Sequence, residues 1–303
     1  MRDILNVFIG WDGREIAAFD TCRGSLERRT SKPLHIIPLM QKALRYEGLY
    51  WRPFEWRGNV CWDIPSQAPM STEFAITRFL VPFLQKGGWA LFLDGDFFAL
   101  ADVAELFALA DERYAVMCVK HVHEPSAESK MDGQPQVPYA RKNWSSCVLW
   151  NLDHPANGRL TVEMVNRLPG RDLHRFCWLS DDEIGELPVE WNYLVGVTTG
   201  VIAPKLVHFT NGFPEMPGCE SIEFADAWRK EKLILSYIRG DHYIRASRSA
   251  DERTAVRRQV FAEAAIGPDQ HAQGIRPARA QDAQSHLAPD RPKRRIKPAR
   301  ALA

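Results

Sequence analysis

Five residues that are apolar on both faces, Trp89-Ala90-Leu91-Phe92-Leu93, run into Asp94-Gly95-Asp96, and apolar character resumes at once in Phe97-Phe98-Ala99. A strand that can bury both faces needs cover on both, which places it inside a layered α/β sheet with helices on either side. Ligands of such sheets gather at the carboxyl ends of the strands. Two carboxylates at that end, one residue apart and set among aromatic rings, repel each other and lose hydration. Both can aim oxygens at one hard cation, and Gly95 permits a tight backbone beside it. The plainer alternative is a solvated Asp-Gly-Asp turn.

The remaining chain supplies the layers. Residues 4–9 read as a buried strand, 14–28 as a helix after the Asp12-Gly13 turn, and 34–40 as a second strand. A helix is expected from Ser71, with Ser71 or Thr72 as N-cap, Glu73 in its first turn, and Ile76, Phe79, Leu80, Phe83 and Leu84 at helical spacing until Gly87-Gly88 stops it. Helix 103–110 and strands 114–120 and 147–152 follow. Alternating strands and helices predict a largely parallel sheet.

Length and composition fit that reading. The 303 residues are 45% hydrophobic and 25% charged, enough for one large domain or two small ones. A formal net charge of +1 gives no electrostatic reason to bring in nucleic acid or an anionic membrane. No run of roughly 18 apolar residues occurs, so no transmembrane segment is expected. The opening MRDILNVFIGWDGRE lacks the apolar core and cleavage site of a secretory signal. Six cysteines without a C-x-x-C pair read as reduced, mostly core residues, and the expected location is cytoplasmic. Beyond about residue 247 the chain turns to Arg, Ala, Gln and Pro, ending RPKRRIKPARALA, with at most a short helix near 256–265. Such a composition cannot offset its ordering entropy. The expected organisation is therefore one domain over 1–246 and a basic, mostly disordered tail over 247–303. Tryptophans between Trp51 and Trp62 could present aromatic faces to a ligand or cap the core, and the core reading is preferred.

The stretch STEFAITRFLVPFLQKGGWALFLDGDFFAL resembles the signature of metal-dependent glycosyltransferases with the GT-A fold, especially glycosyltransferase family 8, in which R-[FL]-x-[ILV]-P-x-[IL] precedes a strand ending in D-x-D. Downstream, KNWSSCVLWNLDH resembles the family's N-x-G strand, SDDEIGELPVEWNYLVG its D-Q…L-P…W-N segment, and LVHFTNG its late H-[FY]-x-G ligand motif. The ordered set covers residues 1–239.

The resemblance implies a GT-A fold, a mixed and mostly parallel central sheet flanked by helices. It implies an Mn²⁺-dependent (or Mg²⁺-dependent) hexosyltransferase moving a sugar from a nucleotide-diphosphate sugar, foremost a UDP-sugar, to a glycan, lipid or protein acceptor, with retention. Asp94, Asp96 and His208 would hold the metal. Arg78 would reach the donor, Asp12 would lie near its base or ribose, and Asp181 or Asp182 would face the hydroxyls of its sugar. Each has a bland counterpart: a satisfied structural histidine, an exposed helical arginine, a turn-starting aspartate, a helix N-terminal charge. His121, His123, His154 and His174 read as structural. The family's H-x-x-G-x-x-K-P-W is represented by HFTNGFPEMPG, without the lysine that contacts the diphosphate. A non-catalytic relative that binds carbohydrate or protein is therefore a second reading. A nucleotidyltransferase is a third, although the Gly-rich basic loop expected after its first strand is missing.

Overall fold

The apolar runs of the sequence become strands in the computed structural model, which describes residues 4–121, 141–200 and 203–247. In chain order these are β1 (Leu5–Gly10), β2 (Leu34–Leu39), β3 (Phe54–Arg57), β4 (Val60–Asp63), β5 (Ala68–Pro69), β6 (Trp89–Leu93), β7 (Phe97–Ala99), β8 (Val116–Cys118), β9 (Cys147–Asn151), β10 (Ile184–Glu186), β11 (Tyr193–Leu194) and β12 (Leu206–His208). Two compact units divide the chain, Met1–Asp241 and His242–Ala303. The expected tail lies, from residue 248 onward, outside the described residues, as do the short helix near 256–265 and His123.

The central sheet has the order β10-β8-β9-β6-β1-β2. β6 pairs parallel with β1 and antiparallel with β9, and β9 alone runs against the other five. Side chains alternate between two cores, as a two-period strand covered on both faces requires. Phe8, Phe92, Val148 and Trp150 enter one core, and Val7, Ile9, Leu91, Leu93 and Leu149 enter the other. Each such side chain contributes roughly 1.5–3 kcal/mol on burial. Helix α1 (Ile16–Arg29) covers the second face with Phe19, Cys22 and Leu26. The buried carboxylate of Glu231, on the C-terminal helix Ala225–Ser247, is bonded by Arg29 and paired with Arg28 of α1.

Two smaller sheets flank the central one, β11-β12-β7 and β3-β4-β5. The second carries Trp56 with 62% of its surface exposed, and Trp51 just before it is 44% exposed. The core reading of these two tryptophans is thus incorrect; Trp56 lies on β3, all four residues of which are exposed. No disulfide joins any of the six cysteines, and four of them are buried.

The long helix expected from Ser71 does not form. Residues 71–76 are turns, a 3₁₀ turn spans Thr77–Leu80, and one α-turn spans Val81–Leu84. Pro82 is the cause. It has no N–H to give the carbonyl of Arg78, and its ring collides with that carbonyl in a continuous helix.

Candidate metal centre

The register of two short strands assembles the centre. β6 ends at Leu93, and the Asp94 N–H is fixed by the Ser146 carbonyl at 3.0 Å. The chain then turns through Gly95, where a Cβ would stand 2.6 Å from the Gly10 carbonyl oxygen. Only glycine admits that approach, so the turn is pressed onto the end of β1. β7 leaves Asp96 and pairs antiparallel with β12, opposing Phe97 to His208. The imidazole stacks on the Phe97 ring, with centroids 4.4 Å apart and planes 17° apart.

His208 Nε2 consequently lies 3.3 Å from Asp96 Oδ1 and 3.8 Å from Asp94 Oδ2. One ligand atom from each of Asp94, Asp96 and His208 falls within 4.8 Å of the other two. Asp96 Oδ1 is buried and accepts no hydrogen bond among the described residues. Asp94 Oδ1 stands 2.7 Å from Arg78 Nη1, an ion-pair contact outside hydrogen-bond alignment. A buried carboxylate oxygen lacking a donor is costly unless a cation meets it. Two carboxylates and an imidazole suit a divalent ion such as Mn²⁺.

Arg78 is buried, so the exposed helical face weighed as its bland counterpart is not what forms. Its Nε donates to the Ala75 carbonyl at 3.0 Å and its Nη1 to the Ser145 carbonyl at 2.9 Å, while the guanidinium sits 5.1 Å from the Phe92 ring centroid. Asp12 has its oxygens taken by the Arg14 backbone and guanidinium and by the Glu73 N–H. It does not line the cavity at the metal centre. The turn-building role weighed for Asp12 is the observed one, and these hydrogen bonds hold its carboxyl below the usual range against the opposing effect of burial.

Topology places Asp181 and Asp182 apart from Asp94 and Asp96. β10 runs parallel to β6, so the turn Asp181–Glu183 precedes its strand at the amino-terminal edge, whereas Asp94 and Asp96 leave the carboxyl edge. Both aspartates are exposed, Asp181 is paired with Arg141, and neither lines the cavity at the metal centre. Glu183 accepts the Ser180 N–H at 2.9 Å, so this acidic stretch forms a helix N-terminal arrangement.

The cavity has a volume of about 620 Å³ and includes Asp94, Asp96, His208 and Arg78 in its wall. It also brings in residues that sequence reasoning missed. Glu15, at the N-cap of α1, faces it; burial and the neighbouring Asp96, Asp12 and Asp94 push its carboxyl up to about 8. Burial likewise pushes Asp94 up to about 6, against the pull of Arg78 and His208. Ser145 Oγ and His174 Nδ1, 2.7 Å apart, belong to residues that also line the cavity. His174, expected to be structural, carries no local sequence signal for this position. His121 is a neighbour of His208, and burial lowers it to about 4. His154 caps a turn by accepting the Ala156 N–H.

No family model matches the chain. It is 46% identical over 231 residues to Protein CDI of Arabidopsis thaliana, covering 74% of this chain and 85% of that protein. Among solved structures it resembles apo WbbM, a bifunctional glycosyltransferase, with TM-score 0.51, 15% identity and 77% of this chain covered. It also resembles the apo form of the glycosyltransferase GlyE of Streptococcus pneumoniae TIGR4, with TM-score 0.50, 13% identity and 80% covered. The chain spans 50% of the former and 63% of the latter. These likenesses establish the GT-A fold, a mixed α/β layer with a mostly parallel central sheet. No helix among the described residues is long and apolar enough to cross a membrane.

Proposed function

The chain belongs to the family of Protein CDI of Arabidopsis thaliana, and for this member we propose a metal-dependent glycosyltransferase that moves a sugar from a nucleotide-diphosphate sugar, foremost a UDP-sugar, to a glycan, lipid or protein acceptor, with retention. The observation that carries this reading is the donor-less, buried Asp96 Oδ1 within reach of Asp94 and His208 at the carboxyl edge of a GT-A sheet. Bound there, Mn²⁺ or Mg²⁺ supplies Lewis-acid neutralisation of charge building on the departing diphosphate. Asp94, Asp96 and His208 hold the ion. Arg78, fixed by two carbonyls, keeps a guanidinium in the cavity wall whose N–H groups suit phosphate or sugar oxygens.

A non-catalytic reading draws support from the cavity's cations. Arg14 and Arg78 are the arginines in its described wall, and the 209–219 loop adds no lysine. Thermal-shift and hydrolysis assays with a panel of nucleotide sugars, with and without Mn²⁺, separate the two. Mn²⁺-dependent stabilisation with release of nucleotide diphosphate supports transfer chemistry. Binding without turnover, in the presence of candidate acceptors, points to the non-catalytic role. Asp94→Asn and Asp96→Asn should abolish the Mn²⁺-dependent shift while the fold persists.

A further inference from the structure

We infer that Asn192 is a positioning residue that decides which ring nitrogen of His208 faces the carboxylate pair, with Ser146 holding Asn192 to that task. The inference rests on the metal reading above. Asn192 is fully buried at the end of the turn Val189–Asn192, immediately before β11, and its Oδ1 lies 3.2 Å from His208 Nδ1. Its Nδ2 donates to Ser146 Oγ at 3.0 Å, and Ser146 Oγ in turn donates to the Asn143 carbonyl at 2.8 Å.

This order fixes the protons. A serine hydroxyl has one hydrogen, and here it is committed to Asn143, so Ser146 Oγ can only accept from Asn192. The amide must therefore turn Nδ2 toward Ser146 and Oδ1 toward His208. An amide oxygen only accepts, so His208 carries its hydrogen on Nδ1 and the neutral ring keeps its lone pair on Nε2. That nitrogen is the one facing Asp94 and Asp96. Ligand histidines are oriented through their second nitrogen in this way, and losing the partner weakens the metal rather than the fold. Ser146 also accepts the Asp94 N–H through its own carbonyl, so one residue braces both halves of the site. The Phe97 stack sets the ring plane, and Asn192 sets which way the ring is protonated.

The experiment titrates the full chain with Mn²⁺ alone and records melting temperature in chelator. Asn192→Ala should lower Mn²⁺ affinity about 10- to 100-fold. Asn192→Asp keeps an acceptor at Nδ1, since the Ser146 hydroxyl can turn to donate to it, and should hold affinity at or above that of the unaltered chain. Ser146→Ala, which frees the amide without removing it, should fall between the two and serves if Asn192→Ala does not fold. In a His208→Ala background, Asn192→Ala should cost less than about twofold further, because its effect runs through the imidazole. Unchanged Mn²⁺ affinity in folded Asn192→Ala, an equal loss in the His208→Ala background, or an Asn192→Asp loss as large as that of Asn192→Ala would overturn the role. Absence of Mn²⁺ binding by the unaltered chain would instead remove the metal reading on which the role depends.

Discussion

Arg78 Nη1 stands 2.7 Å from Asp94 Oδ1, so the carboxylate pair at the end of β6 is half neutralised by the protein itself. Two carboxylates and one guanidinium leave one net negative charge. A divalent ion reverses that sign and leaves the pocket positive for a diphosphate. Arg78→Met separates these effects. With the guanidinium gone, Mn²⁺ alone should bind more tightly, while affinity for a nucleoside diphosphate with Mn²⁺ present should fall at least about tenfold. Metal-free stability should drop by roughly 3–5 kcal/mol, because a buried charge loses its partner. Calorimetric titrations of metal and of nucleotide, run separately, read the two signs. Weaker binding of both would mean that Arg78 serves packing.

The pH dependence of the metal-free protein follows from Glu15 and Asp94. Both carboxyls are raised in the fold, Glu15 to about 8 and Asp94 to about 6, so the folded state holds more protons than the unfolded chain at pH values between the ordinary carboxylate range and these limits. Stability from these groups is fully present below the unfolded values and is lost as pH rises. His121, lowered to about 4, works the other way and contributes stability that grows as pH rises from 4 to its ordinary value near 6.5. Of these three groups only Glu15 changes its contribution between about pH 6.5 and 8, where melting temperature in chelator should decline. Glu15→Gln should flatten that decline. A melting temperature that climbs across this window would contradict the placement of Glu15.

Several of these features were legible in the sequence and others were not, for physical reasons. β1, β2, β6 and β9 fall within two residues of expectation because their apolar runs are bounded by turn residues. The Asp94–Asp96 pair was readable from its setting at the end of a doubly buried strand. His208 was reachable only through a motif, since nothing local says that β12 will pair with β7. The helix expected around Arg78 does not form, because a 3.6-residue stripe cannot be carried through Pro82. The separation of Asp181 and Asp182 from the Asp94–Asp96 pair was not legible, because the end of the sheet at which a segment enters depends on strand order, which no local pattern encodes. Glu15, Ser145 and His174 come to the cavity from three separate elements, and each looks unremarkable in its own stretch.

Gly95 offers a test of the scaffold rather than of the ligands. A methyl group at this position would meet the Gly10 carbonyl oxygen at 2.6 Å, and neither backbone can retreat easily. Gly95→Ala should destabilise by about 1–3 kcal/mol, as overpacking does, and should displace Asp94 and Asp96 enough to lower Mn²⁺ affinity at least tenfold. Urea denaturation and a metal titration on the same sample check both. Full metal affinity together with lost stability would show that the carboxylates are placed independently of the turn.

His208 gives the sharpest separation of ligand from structural part. The side chain is buried beside Phe97, so its removal leaves a small cavity in any case, with a modest loss of stability. If it binds metal, His208→Ala should weaken Mn²⁺ at least about tenfold and reduce donor hydrolysis or transfer correspondingly. Asp94 and Asp96 would remain as an incomplete site, so raising Mn²⁺ should restore part of the activity and part of the metal-dependent rise in melting temperature. A structural histidine predicts the opposite pattern: melting temperature in chelator falls, the metal requirement does not move, and no Mn²⁺ concentration recovers what was lost. Following activity and melting temperature across one Mn²⁺ series distinguishes them, and an unaltered half-saturation in a stable variant would take His208 out of the centre.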